Sequence, residues 1–307
     1  MTATAQNILK TLGYFDLFMY PLTDEEIYLF NPLVTNKVLV YKELEMLVRE
    51  KTIFKIDDFY SLHNDYFLAE RRRNGNLLAA EQIKTARRVA KFLYRFPYVK
   101  AIAVSGSLSK NFATDKTDID FFIITAANRL WIARTCMHLY KKITFITGRQ
   151  NWYCMNYYVD EEAMEIKEKN IFTAMEIITL LPMYGQDYLD GFIKKNKWTD
   201  LFFPLKYCSN KAFPEIRKGL FSKLVEKLFT GRFGDIADEK LMNITAKRWN
   251  KKVQQHKLNS KGGFMCMVIG RHFSKPDPQN FQQKTLNQYQ AKVHQLLTQH
   301  KIKLAAF

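Results

Sequence analysis

Two aspartates, Asp118 and Asp120, stand one residue apart at the head of an apolar run, Phe121-Phe122-Ile123-Ile124. Upstream, the apolar stretch 101–104 ends in Ser105-Gly106-Ser107. In an extended strand alternate side chains share a face, so Asp118 and Asp120 fall together and Ile119 and Phe121 fall opposite. Paired carboxylates next to a glycine turn can hold a divalent metal and a phosphate side by side. That is the chemistry of phosphoryl and nucleotidyl transfer, which asks of a protein chiefly metal, position and charge. A lone Gly-Ser turn is common, and an acidic pair often marks only a strand edge. The combination is stronger, because carboxylates entering a buried strand need a partner or a metal to offset their desolvation.

Read as Gly-Ser, ten residues, then Asp-x-Asp, the segment Gly106-Ser107…Asp118-Ile119-Asp120 resembles the signature of the DNA polymerase β-like nucleotidyltransferases, and most closely the minimal nucleotidyltransferases of prokaryotes. The resemblance spans residues 99–159 and rests on Gly106, Ser107, Lys110, Asp118 and Asp120. It implies a short mixed sheet with a glycine-serine turn opening a helix, then the acidic strand. It also implies transfer of a nucleoside monophosphate, most simply AMP from ATP, to an acceptor such as a protein hydroxyl, a small molecule or an RNA 3′ end. Under it Asp118 and Asp120 ligate Mg²⁺ or Mn²⁺. Gly106 lets backbone N–H groups approach the triphosphate, Ser107 adds a helix start and a hydroxyl, and Lys110 neutralises the tail.

One element of the family pattern is missing. A third carboxylate is expected on a later strand, yet the candidate strand 151–159 holds no acid, and Asn156 is the polar residue best placed to contact nucleotide or metal. Asp160, Glu161 and Glu162 follow it directly; they read as an exposed turn, with Asp160 entering the site only if the strand boundary shifts. The gap supports a second reading, a catalytically weak or inactive module that binds nucleic acid or a partner, as antitoxin-like relatives do.

Elements must position these residues. The sequence predicts an α/β (α+β) chain: a winged-helix-like module over 1–64, a connecting helix over 65–97, a nucleotidyltransferase core over 98–165 and a basic, mostly helical region over 166–307. In the first, Ile8, Leu12 and Phe15 recur at helical spacing, Thr23 with Glu26 forms a capping box, a third helix covers 38–50, and 52–62 reads as a hairpin. The third helix carries as many acids as bases, a poor surface for phosphates, which favours a structural role for the module over DNA binding. The connecting helix is expected to break or kink near Asn74-Gly75, with Arg71, Arg72, Arg73, Arg87 and Arg88 on a solvated face or meeting a nucleotide. The core reads strand 99–105, helix from 107, strand 118–125, helix 129–145 and strand 152–159; helices over 171–181 and 187–195 follow. Gly231-Arg232-Phe233-Gly234 and Gly262-Gly263 lack the flanking pattern of nucleotide loops, and the basic stretch 270–276, able to bind an anion, reads more readily as a helix-ending loop.

Composition limits the alternatives. The chain has 307 residues, 47% hydrophobic and 25% charged, as in ordinary globular proteins. No apolar run approaches a membrane span and no secretory leader is evident, so the expectation is a cytoplasmic protein without membrane contact. Cys136, Cys154, Cys208 and Cys266 are scattered, as are the histidines, which argues against a zinc centre or a disulfide framework. The net charge of +17 is concentrated at one end: residues 192–307 hold 23 Lys and Arg against 7 Asp and Glu. That field suits an anionic partner, nucleic acid or nucleotide.

Overall fold

The first sixty residues form helices where apolar side chains recur every three or four positions. Helix α1 (Ala3–Asp16) starts at Thr2, whose hydroxyl accepts from the Ala5 N–H. Helix α2 (Asp24–Leu29) carries the complete Thr23–Glu26 capping box. Helix α3 (Lys37–Arg49) follows, then an antiparallel pair, β1 (Phe54–Ile56) and β2 (Phe59–Ser61). Ile8, Leu12, Leu22, Ile27, Leu44, Leu47 and Ile53 are sealed from solvent between these elements. The structure is a computed structural model that describes residues 1–34, 36–144, 152–205, 212–214, 216–256, 267–276 and 280–299. Asn151, Cys208, Gly262, Gly263, Cys266 and His300 lie outside the described residues.

Helix α4 (Tyr66–Leu93) runs unbroken through Asn74-Gly75, where the sequence predicts a break or a kink. The glycine serves packing: a Cβ there would lie 2.3 Å from the Phe112 ring. Of its arginines, Arg73, Arg87 and Arg88 are exposed, as on a solvated face, whereas Arg71 and Arg72 turn to the N-terminal module. Arg72 is 3% exposed; it donates to Glu26 Oε1 (2.7 Å) and the Pro21 carbonyl (3.0 Å), and its guanidinium stacks 3.7 Å from the Tyr20 ring centroid. Arg71 donates to the Phe18 and Met19 carbonyls. Arg73 pairs with Asp57. These residues fasten the N-terminal module to α4, where planar, delocalised cations both pair and stack.

The central sheet is built from β3 (Val99–Val104), β4 (Asp120–Thr125), β5 (Cys154–Asp160), β6 (Leu181–Tyr184), β7 (Met267–Ile269) and β8 (Phe273–Pro276), in the order β6-β3-β4-β5-β8-β7. Among the described strands only β4 and β5 run parallel, joined through helix α6 (Leu130–Thr144); the one-turn helix α5 (Gly106–Ser109) lies between β3 and β4. Helices α7 (Ile171–Ile178) and α8 (Gln186–Lys195) flank β6, and α9 (Leu220–Leu228), α10 (Gly231–Gln254) and α11 (Phe281–Gln299) complete the chain. Three boundaries differ from expectation. The acidic strand starts at Asp120, so Asp118 precedes it; the helix expected over 171–181 stops at Ile178 and gives way to β6; and 270–276 is not a helix-ending loop but supplies β8 at the side of β5. Strands of three or four residues carry too little alternation to announce themselves in sequence.

Alternation in the central strands divides the core. Ile102, Val104, Phe121, Ile123 and Tyr158 pack towards α4 and α6, whereas Ala101, Ala103, Phe122, Ile124 and Val159 pack towards α7 and α8. The C-terminal helices dock through Arg129, which donates to the Phe229 and Gly231 carbonyls and to Asp235. Asp238 of α10 accepts from the Ile132 N–H (2.8 Å), capping α6 from outside its own segment. Among the described residues no helix is long and apolar enough to cross a membrane.

Two outcomes follow for stability. Alanine at position 75 gains helix propensity of about 1 kcal/mol but drives a methyl into Phe112, so Gly75→Ala lowers the urea midpoint; in a Phe112→Leu background the same change costs less or stabilises. Burial raises the Asp238 carboxyl from 3.8 to about 6, so its proton-linked stabilisation is present below pH 3.8 and is lost as pH rises through about 6. Asp238→Asn keeps an acceptor for the Ile132 N–H, and urea melts across that window will show its stability rising relative to the wild type.

Candidate functional site

Strand β3 is buried over nearly its whole length and delivers the chain into the turn at Ser105. The Ser105 N–H donates to the Asp120 carbonyl (2.9 Å), which continues the β3–β4 ladder one step beyond Val104. Gly106 then adopts φ +68°, and a Cβ built there would stand 2.7 Å from Asp120 Oδ2. Only glycine meets both demands: a left-handed backbone, and a carboxylate oxygen where a methyl would sit. The Gly-Ser turn and the second aspartate, with twelve residues between Ser107 and Asp120 in sequence, are therefore brought together.

Asp120 opens β4 on the face shared with Phe122 and Ile124, and it lines a cavity of about 460 Å³. Asp118 precedes the strand and does not line that cavity; Ile119 between them is buried in the opposite core. Both carboxylates act on Cys154, which faces Asp120 across the parallel pair. Burial pushes the Cys154 thiol up most strongly; the Asp120 carboxylate raises it further and Asp118 adds to the effect.

Gly106, Ser107, Lys110 and Asn156 also line the cavity. Helix α5 is a single turn ending at Ser109, with Lys110 as its C-cap, so the helix expected after Ser107 is too short for an appreciable dipole. Lys110 Nζ donates to the Gly106 carbonyl (3.1 Å) and to Glu176 Oε1 (2.7 Å). The Tyr20 hydroxyl donates to the Lys110 carbonyl, which ties the N-terminal module directly to the turn. Asn156 reaches the cavity because the β4–β5 register slips: Phe121 pairs with Met155 and Phe122 with Tyr157. Such an irregularity lets two successive residues, Asn156 and Tyr157, line one cavity.

Of the further lining residues, Lys275 falls in the basic stretch 270–276, and Glu176 and Gln282 were not singled out by sequence. Glu176 comes from α7, Lys275 from β8 and Gln282 from α11. Lys275 Nζ donates to Gln282 Oε1 (2.6 Å). The only local signal was the basic character of 270–276; Glu176 and Gln282 sit in no motif. Tyr14, Phe15, Phe18, Tyr20, Phe172 and Phe281 form aromatic walls contributed by α1 and the turn after it, by α7 and by α11. Asp160 lies at the other end of β5, paired in register with Thr125 and not with Asp120. It is fully buried rather than in an exposed turn, accepting from the Asn128 N–H (3.0 Å) and lying 2.9 Å from His272 Nδ1. No His, Cys, Asp or Glu group of three suited to a metal occurs among the described residues, so the acidic pair stands without a third carboxylate beside it.

The arrangement combines hard oxygen donors, a backbone turn open to an anion, the Lys110 cation and aromatic surfaces in one concavity, which is the donor set of a nucleotide site. Residues 83–206 match the family model described as Nucleotidyltransferase domain. Searches of curated proteins and of solved structures gave no match. The matched segment runs from the last turns of α4 to just past α8 and so contains β3 to β6, with the Gly-Ser turn set against the acidic strand. The chain therefore carries a nucleotidyltransferase-fold domain of the DNA polymerase β-like kind.

Proposed function

We propose that this protein transfers a nucleoside monophosphate, most simply AMP from ATP, to a hydroxyl-bearing acceptor with the help of a divalent cation. The contact of Gly106 with Asp120 Oδ2 carries the reading, because it sets a phosphate-accepting turn directly against a metal-competent carboxylate. The residues present fit a hard cation: Asp118 and Asp120 offer charged oxygens, and the missing side chain at Gly106 keeps the space beside Asp120 open. Mg²⁺ or Mn²⁺ held by these aspartates would neutralise the triphosphate and the charge that develops as pyrophosphate departs.

The chain's own groups do the remainder. Backbone N–H groups around Gly106 and Ser107, with the Ser107 hydroxyl, take up oxygens of the phosphate tail. Lys110 supplies a cation to the same tail, turning from Glu176 towards it. Asn156 hydrogen-bonds the nucleotide from β5 without adding charge. The acceptor oxygen attacks the α-phosphorus in line, the bond to the bridging β-phosphate oxygen breaks, and pyrophosphate leaves with that electron pair. The hydroxyl proton passes to a cavity carboxylate, Asp120 or Glu176. Aromatic walls exclude water that would otherwise compete as acceptor.

A second reading has one observation in its favour. Asn156 occupies the position from which a third carboxylate would come, and none joins the pair from elsewhere among the described residues. A nucleotide-binding module without turnover would look the same, and the basic residues of 192–307 would then serve nucleic acid or a partner.

Incubation with α-labelled ATP, Mg²⁺ and cell extract separates the two. Label transfer to an acceptor is expected, abolished by chelation and reduced at least about 100-fold in Asp118→Ala and Asp120→Ala. Transfer that survives the double substitution defeats the site assignment; nucleotide binding by calorimetry with no transfer in any extract favours the second reading. Gly106→Ala, which strains φ and collides with Asp120, is expected to weaken ATP binding in the same calorimetric assay while the far-UV spectrum is retained.

A further inference from the structure

The sheet order gives the site a direction. Strands β3, β4, β5 and β8 are successive neighbours, with the phosphate turn after β3, Asp120 at the head of β4, Asn156 on β5 and Lys275 on β8. On the reading above, pyrophosphate departs on the β3 side. In-line displacement then requires the acceptor to enter from the opposite side, against β5 and β8.

That side is cationic. Tyr158 pairs with Ser274 in the antiparallel β5–β8 ladder, which sets Lys275 beside Tyr157; its ammonium lies 6.0 Å from the Tyr157 ring centroid. Lys275 is only 17% exposed, and its close partner is the neutral Gln282. The lysine also makes a long ion pair, 3.8 Å, with Glu168, which is half-exposed and outside the cavity lining. The two acids that line the cavity, Asp120 and Glu176, belong to the metal side and to Lys110. Lys275 also lies beyond the segment matched by the family model, so this cation is supplied by the chain's C-terminal region.

We infer that the acceptor is a small hydroxyl compound carrying an anionic group, a phosphate or a carboxylate, which Lys275 and Gln282 hold on the β5–β8 side. A neutral acceptor would leave a largely buried ammonium with the half-exposed Glu168 as its counter-charge, outside the cavity, and a polycationic one would be repelled. The aromatic walls from α1 and α11 limit the acceptor to what a cavity of about 460 Å³ admits. The acceptor hydroxyl forms the new bond to the α-phosphorus, and its anionic group takes no part in bond making.

Titration calorimetry tests this on the full chain loaded with Mg²⁺ and α,β-methylene-ATP, with inorganic phosphate and acetate as separate probes. One probe is expected to bind the loaded wild type, and to bind Lys275→Met and Lys275→Glu at least about tenfold more weakly. Both variants should retain the affinity for the nucleotide analogue. The inference is overturned if neither anion binds the loaded wild type or if Lys275→Glu binds it undiminished, and the nucleotide reading survives either result. It also fails if α-labelled ATP labels an oligoribonucleotide 3′ end or an aminated sugar in preference to glycerol 3-phosphate and glycerate. Failure of the analogue itself to bind removes the nucleotide reading and this inference together.

Discussion

Everything in the site depends on one atom that is absent, the β-carbon at position 106. Because the turn carries none, the Asp120 carboxylate can close on the backbone, and the Ser105 N–H can extend the β3–β4 ladder to the Asp120 carbonyl. The two halves of the motif are thus fixed by the sheet and not by the loop between them. A sheet buried on both faces holds such a contact rigidly, since Ile102 and Val104 anchor one side and Ala101 and Ala103 the other.

A second constraint comes from outside the core. The N-terminal helices and hairpin would be read in isolation as an appended module. Here Arg71 and Arg72 bind its carbonyls, Arg72 pairs with Glu26, and Tyr20 bonds the backbone of Lys110. Its apolar core merges with α7 through Ala174, Met175 and Ile178. A buried arginine stacked on Tyr20 and satisfied by carbonyls and a carboxylate is costly to separate, because opening the interface strands a desolvated charge. The module therefore behaves as a wall of the cavity.

Much of this was legible in the sequence where a strong local pattern existed. The capping box at Thr23, the alternation around Phe121 and the Gly-Ser…Asp-x-Asp spacing each encode a local geometry, and the helices and strands they predict are present. What escaped notice is tertiary in origin. The break or kink expected at Gly75 is a contact with Phe112, 37 residues along the chain. Strand β8 carries no alternation of its own and exists because β5 offers it an edge. Glu176, Lys275 and Gln282 acquire a role only when three separate elements meet, so no spacing rule could have picked them out. The entry of Asn156 into the cavity depended on a slip in strand pairing that composition does not encode.

The cavity draws its walls from both extremities of the polypeptide, Tyr14 and Phe18 at one and Lys275 and Phe281 at the other. During synthesis the early half of the sheet can form while β8 is still inside or behind the ribosome. At roughly 5–20 residues per second, many seconds separate emergence of the glycine turn from arrival of the lysine that completes the pocket. A nascent chain in that interval holds its acidic pair without the finished enclosure, so competence is acquired only once β8 has emerged.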